Sequence, residues 1–193
     1  DRYEGLTSSW YVADVSHRFD FYERLDVYAD TVNLIIRNDV TLSCEGGIHV
    51  PSGKNLNIYF ESGETGKLIA LGDDDDTAAI GGDYGESGGN VTIHGGNVMA
   101  DGYNDDRGEA GAGIGGGKNG SGGTVIIYGG TVEACGSNYG AGIGSGDADR
   151  EGVDGGIVKI YGGNVTAKAG YNGAGIGGGT KGNFNGFIVI NGS

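Results

Sequence analysis

From residue 89 onward, apolar and polar positions alternate in short runs that return in a fixed order. The first run of each repeat reads Val91-Thr92-Ile93, Val125-Ile126-Ile127 and Val158-Lys159-Ile160, each bracketed by glycine. A second run follows after Gly-Gly: Asn97-Val98-Met99-Ala100, Thr131-Val132-Glu133-Ala134 and Asn164-Val165-Thr166-Ala167. The third is the stretch Gly-Ala-Gly-Ile-Gly at Gly111–Gly115, Gly140–Gly144 and Gly173–Gly177, with a degraded copy, Ala78-Ala79-Ile80-Gly81-Gly82, further upstream. Its isoleucines (80, 114, 143, 176) are 34, 29 and 33 residues apart, the spacing of a solenoid coil with loops of varying length.

A period of two predicts strands, and it assigns their faces. Val91/Ile93, Val125/Ile127 and Val158/Ile160 face inward from the first strand, and Val98/Ala100, Val132/Ala134 and Val165/Ala167 from the second. Ala112/Ile114, Ala141/Ile143 and Ala174/Ile176 face inward from the third. Gly-Gly pairs between strands allow the positive φ of sharp corners. Three short strands per turn, stacked in parallel, make an all-β, right-handed parallel β-helix, the hand following from the rule for parallel crossovers. A β-sandwich or propeller fits less well, because each repeat holds an odd number of strands of three distinct types.

The same pattern continues upstream with fewer glycines. Leu34, Ile36, Leu42, Cys44 and Ile48 fill one coil, and Leu56, Ile58, Leu68, Ala70 and Ile80 the next. The expected coils lie near 33–50, 55–82, 89–117, 123–146 and 156–179. Residues 1–30, with Trp10-Tyr11-Val12, Phe19-Asp20-Phe21 and Leu25-Asp26-Val27, are expected to form an N-terminal aromatic cap and first irregular coil, covering the open end of the stack. Residues 186–192 match only the first strand of a further coil, the pattern expected of a module cut from a larger protein with neighbouring modules.

Composition narrows the functions. The chain holds 45 glycines among 193 residues without a Gly-X-Y period, which excludes collagen. The regular apolar triplets argue against disorder, because they bury surface that a linker cannot. A formal charge of −14 opposes binding to nucleic acid and to anionic membranes. No apolar run reaches 18 residues, so no membrane-inserted helix is expected. The start at Asp1, without Met, suits a processed secreted protein or an excised module. Cys44 and Cys135 fall three coils apart, about 14 Å at the strand spacing, too far for a disulfide. Both are expected as free thiols, Cys44 in the inward slot held elsewhere by Ala100, Ala134 and Ala167.

The combination GG-x-(V/I)-x-I-x-GG-x-V-x-A with GAGIGGG, and the lead-in from Gly47 to Tyr59, resembles the glycine-rich β-helical repeats of large secreted or cell-surface proteins of anaerobic Gram-positive bacteria. The resemblance covers roughly residues 30–193. It implies an extracellular or cell-surface setting, and some related β-helices bind acidic polysaccharide with calcium. It carries no functional residues over.

Candidate chemistry is sparse. Gly111–Gly116 and Gly173–Gly178 match G-x-G-x-x-G, but no helix follows, so the dinucleotide fingerprint fails. Gly117-Lys118-Asn119 fails as a P-loop. Two acidic loops, Asp105-Asp106 with Arg107 and Glu109, and Asp147–Asp154, are the nearest approach to the carboxylate clusters of polysaccharide-active β-helices. His17, His49 and His94 show no metal-ligand spacing, which argues against zinc. Calcium is the one candidate cofactor: Asp73, Asp74, Asp75 and Asp76 with Asp101, Asp105 and Asp106 fall on one corner of successive coils, where carboxylates could converge. Tyr59, His94, Tyr128 and Tyr161 form one aromatic ladder, and Tyr103, Tyr139 and Tyr171 a second. Gly113, Gly142 and Gly175 are expected to face outward as a bare floor beside these tyrosines. A polysaccharide or cell-surface glycan could lie on such a floor, as could a packed loop or a neighbouring module. The leading function is a non-catalytic extracellular spacer or adhesion module with a carbohydrate-binding face. The alternative is a fragment of a β-helical lyase or glycoside hydrolase. An ice-binding surface is disfavoured, because outward Thr92, Ile126 and Lys159 make no threonine array.

Overall fold

A computed structural model describes residues 5–19, 24–72, 76–102, 111–149 and 152–191. The described residues form nineteen strands in three parallel sheets and no helix. Each coil contributes one strand to each sheet, so the fold is the right-handed parallel β-helix with three strands per coil.

The first sheet runs Trp10–Ala13, Thr31–Ile36, Asn55–Phe60, Asn90–Ile93, Thr124–Ile127, Asp154–Ile160 and Asn183–Ile190. The second holds His17–Phe19, Thr41–Cys44, Lys67–Leu71, Asn97–Asp101, Thr131–Cys135 and Asn164–Lys168. The third holds Leu25–Asp26, Ile48–His49, Ile80–Gly81, Ile114–Gly115, Ile143–Gly144 and Ile176–Gly177. Seven strands in the first sheet set six steps, a stack about 29 Å long.

Register turns the sequence repeat into columns of like residues. Ile58, Ile93, Ile127 and Ile160 pair in succession, as do Leu42, Leu68, Val98, Val132 and Val165, and Ile48, Ile80, Ile114, Ile143 and Ile176. These columns meet in one core in which most side chains are closed to solvent. Cys44 pairs with Ala70 in the small-residue column and is fully buried. Burial pushes its thiol up to about 12, so it stays protonated. Cys135 is half-buried, and both cysteines are free.

Outward asparagines tie successive coils together. Asn57 Nδ2 donates to Asn33 Oδ1 at 2.9 Å, and Asn90 Nδ2 donates to Asn55 Oδ1 at 2.8 Å. These cross-coil bonds satisfy amides that would otherwise compete with the ladder.

The described part of the segment expected as a cap and first irregular coil forms a coil. Its three strands take the end positions of the three sheets, with Tyr11 and Ala13 packed on the core and Leu25 and Val27 buried. Trp10 does not cover the end of the stack: it alternates with the inward Tyr11 and is 61% exposed. Residues 20–23, and with them Phe21, lie outside the described residues.

Candidate functional site

Three surfaces bear on function, and each follows from what the outward column of a sheet carries. On the third sheet that column reads Asp26, His49, Gly81, Gly115, Gly144, Gly177. The four glycines adopt φ between +134° and +145°, a region closed to side chains. A Cβ on Gly81, Gly115 or Gly144 would collide with the carbonyl of the next glycine in the column.

The glycines expected as a bare outward floor are covered to different degrees. Gly113 and Gly142 are buried and Gly175 is half-buried. A Cβ on Gly113 would lie 2.7 Å from the carbonyl oxygens of Cys135 and Gly142, and one on Gly142 would lie 2.7 Å from Gly175 O and Lys168 N. The glycines let the end of the second strand pack directly on the third. Gly88 and Gly122 in loops, and Gly155 at the start of its strand, lie so close over Gly115, Gly144 and Gly177 that a Cβ on any of them would meet that backbone within 3 Å. Backbone thus covers Gly113 and Gly142, while Gly175 is only half-covered.

The first aromatic ladder is a true stack. Ring centroids lie 4.1 Å apart for Tyr59–His94, 5.3 Å for His94–Tyr128 and 5.3 Å for Tyr128–Tyr161, with interplanar angles of 11° to 20°. Trp10 joins its upper end, 6.3 Å from Tyr59. Rings at this spacing cover one another's faces, so Tyr128 is sandwiched, while Tyr161, the last ring, is stacked on one face only. Burial holds the His94 imidazole below its usual pKa, favouring the neutral ring.

Tyr139 and Tyr171 differ. Their centroids are 6.5 Å apart and tilted by 48°, and Tyr171 is 76% exposed. Tyr171 borders a hollow of about 310 Å³ with Asn138, Ala169 and Gly170. Tyr103 lies outside the described residues.

Sequence patterns did not reveal a larger groove of about 570 Å³, which runs across several coils at the corner leading into the first sheet. Ser52, Ser87, Ser121, Thr124, Asp154 and Phe187 are among its lining residues. Ser87 Oγ accepts from Ser121 N at 3.2 Å, and Ser121 Oγ accepts from Asp154 N at 3.0 Å. Both hydroxyls thus serve as acceptors in the scaffold and keep a hydrogen to donate. Asp154 Oδ1 is buried there without a hydrogen-bond partner, an acceptor with unmet capacity. The signal in the sequence was the polar residue before one Gly-Gly corner of each coil: Ser87, Ser121 and Asp154.

The acidic corner is only partly in view. Asp73, Asp74, Asp75, Asp105 and Asp106 lie outside the described residues. Asp76 pairs with Lys118 at 3.4 Å. Asp101 sits near Glu133 and Lys168, and burial raises its pKa first, with Glu133 adding to the shift. In the second acidic loop, Asp149 Oδ2 accepts from Asn119 Nδ2 at 3.1 Å, and Asp147 is buried with its pKa raised by desolvation.

His49, isolated in the sequence, is surrounded in the fold. Its Nδ1 lies 2.9 Å from Asp26 Oδ1, and its Nε2 lies 2.9 Å from Glu86 Oε2 and 3.7 Å from Asp83 Oδ2. Arg24 Nε holds Asp83 Oδ1 at 2.9 Å, while its terminal nitrogens donate to the carbonyls of Gly46 and Ala78 and to Thr77 Oγ1.

The fold defines a β-helical repeat module. A family model described as a beta helix repeat matches residues 91–118, 125–147 and 158–180. The three matches begin at Val91, Val125 and Val158, which pair with one another in the first sheet, so the repeat and the coil coincide. No curated protein and no solved structure matches the chain. Such a repeat fits a structural or polysaccharide-related module.

Proposed function

We propose that the chain is a non-catalytic module of an extracellular or cell-surface bacterial protein, a rigid spacer or adhesion stalk that holds a polysaccharide along its serine-lined groove. The groove carries this reading. It runs with the stack and offers hydroxyl donors from Ser87 and Ser121, an acceptor from Asp154, and the apolar ring of Phe187. Sugar chains need that mixture, because each ring presents hydroxyls at its rim and C–H groups on its face. Tyr139 and Tyr171 form a second, smaller platform. Val165, Ala167 and Ile176 are only partly covered at the C-terminal side of the core, which suits stacking against a neighbouring module.

The non-catalytic part rests on the described carboxylates. Asp149 is tied to Asn119, and Asp147, whose Oδ1 lacks a partner, is buried, so the two form no open acid–base pair. A polysaccharide array with the purified chain tests the proposal. Retention is expected, with affinity falling at least about tenfold in Asp154→Ala or Phe187→Ala and less in the double variant Tyr139→Ala/Tyr171→Ala. Loss in the tyrosine variant alone would overturn the assignment to the groove. No retention on any polysaccharide would overturn glycan binding, and release of oligosaccharide products would overturn the non-catalytic reading.

A further inference from the structure

We infer that His49, Asp83 and Glu86 form a binding site for a divalent transition-metal ion of the zinc class, with Asp26 and Arg24 as the groups that orient its ligands. The site arises where the outward column of the third sheet changes character. In four coils that column is glycine, and a loop lies flat on it. One coil earlier the same position is His49, and the loop from residue 82 to 88 brings Asp83 and Glu86 over it.

One ligand atom from each of His49, Asp83 and Glu86 lies within 4.8 Å of the other two. A tetrahedral ion with bonds near 2.0–2.1 Å requires ligand–ligand edges of about 3.3 Å. The two edges that meet at His49 are 2.9 and 3.7 Å, one on each side of that value. Rotation of the half-exposed Glu86 side chain lengthens the shorter edge, and a shift of a few tenths of an ångström between His49 and Asp83 closes the longer one.

The atoms not facing the ion are already committed. His49 Nδ1 is bonded to Asp26 Oδ1, which fixes the ring and leaves Nε2 as the ligand. Asp26 is steadied in turn by Tyr28, whose hydroxyl donates to Oδ2 at 3.2 Å. Asp83 presents Oδ2 because Arg24 holds Oδ1. Carboxylates behind a ligating histidine, and partners behind a ligating carboxylate, are what orient a metal site. Three carboxylates face one guanidinium and one imidazole, so a divalent cation also offsets surplus negative charge. The imidazole nitrogen favours zinc, cobalt or nickel over calcium. Any proton shared between Nε2 and Glu86 is displaced to solvent as the ion binds.

Titration of the chain with Zn²⁺, and with Co²⁺ followed by its visible absorption, tests the site. One equivalent is expected to bind, weakening as pH falls because protons compete for the ligands. His49→Gln or Glu86→Gln should lower affinity at least about 100-fold, and Asp26→Asn about 10- to 100-fold, each with the far-UV circular dichroism unchanged. Glu86 sits on an exposed loop, so its variant reports on binding and not on folding. His94→Ala should bind as the wild type does. Absence of binding, equal affinity in His49→Gln, or loss in His94→Ala would overturn the site.

Discussion

Alanine at Gly115, as at its column neighbours Gly81 and Gly144, is expected to destabilise the fold severely. Gly115 has φ +140°, which L-residues rarely adopt, and its added Cβ would strike the carbonyl of Gly144. Both obstacles are backbone, so no side chain can swing away. Strain at such a dihedral costs about 1–3 kcal/mol, and forced overpacking about 1–3 kcal/mol more. A loss of about 2–6 kcal/mol is a large share of a domain stability of about 5–15 kcal/mol. Gly53→Ala is the matched control. Its φ is +85°, yet a Cβ there meets nothing within 4 Å. Only the left-handed strain remains, about 1–2 kcal/mol. Urea midpoints of the two variants decide the matter: equal shifts would mean that the glycine column is not packed as described.

The second large effect is Ile127→Ala. Ile127 is closed to solvent between Ile93 and Ile160 in the isoleucine column of the first sheet. Removing it leaves a cavity that neighbours on both sides are too constrained to fill, at a cost of about 2–5 kcal/mol. For a domain of this size that is a fall in Tm of about 5–15 °C. Ile126, its neighbour on the outward face, has the same chemistry, and Ile126→Ala should cost no more than about 1 kcal/mol. Thermal scans of the pair measure the inside–outside alternation directly. Similar losses in both would reverse the assigned faces.

Much of this fold was readable from residues alone, because a solenoid writes its architecture as repetition. Val91, Val125 and Val158 recur in sequence for the same reason that they pair in space: each fills the same slot of the same coil. Cys44 was legible as core through the alanines that share its column. The glycine wall was not. Alternation tells which side of a strand Gly113 or Gly142 occupies, but not that the end of the second strand lies against that side. Nor does it foretell that Gly88 and Gly122 cross the column behind them. Trp10 misled in a related way, since its bulk suggested a cap while its phase placed it outside. His49 was illegible because its carboxylate partner Glu86 is 37 residues distant, supplied by the loop of the following coil. The groove was hidden because its serines are single residues at corners.

The proposed spacer requires a rigid stack in which each coil adds one strand spacing, since a flexible chain could neither hold the groove straight nor act as a spacer. Spin labels at residues 33 and 159, in place of Asn33 and Lys159 on a Cys44→Ala, Cys135→Ser background, measure this by pulsed dipolar spectroscopy. The two positions are joined through Asn57, Thr92 and Ile126 in unbroken register, four steps apart. Four steps amount to about 19 Å. A narrow distribution centred near that distance is the predicted result. A broad distribution, or one centred beyond about 30 Å, would contradict the stack and the function built on it.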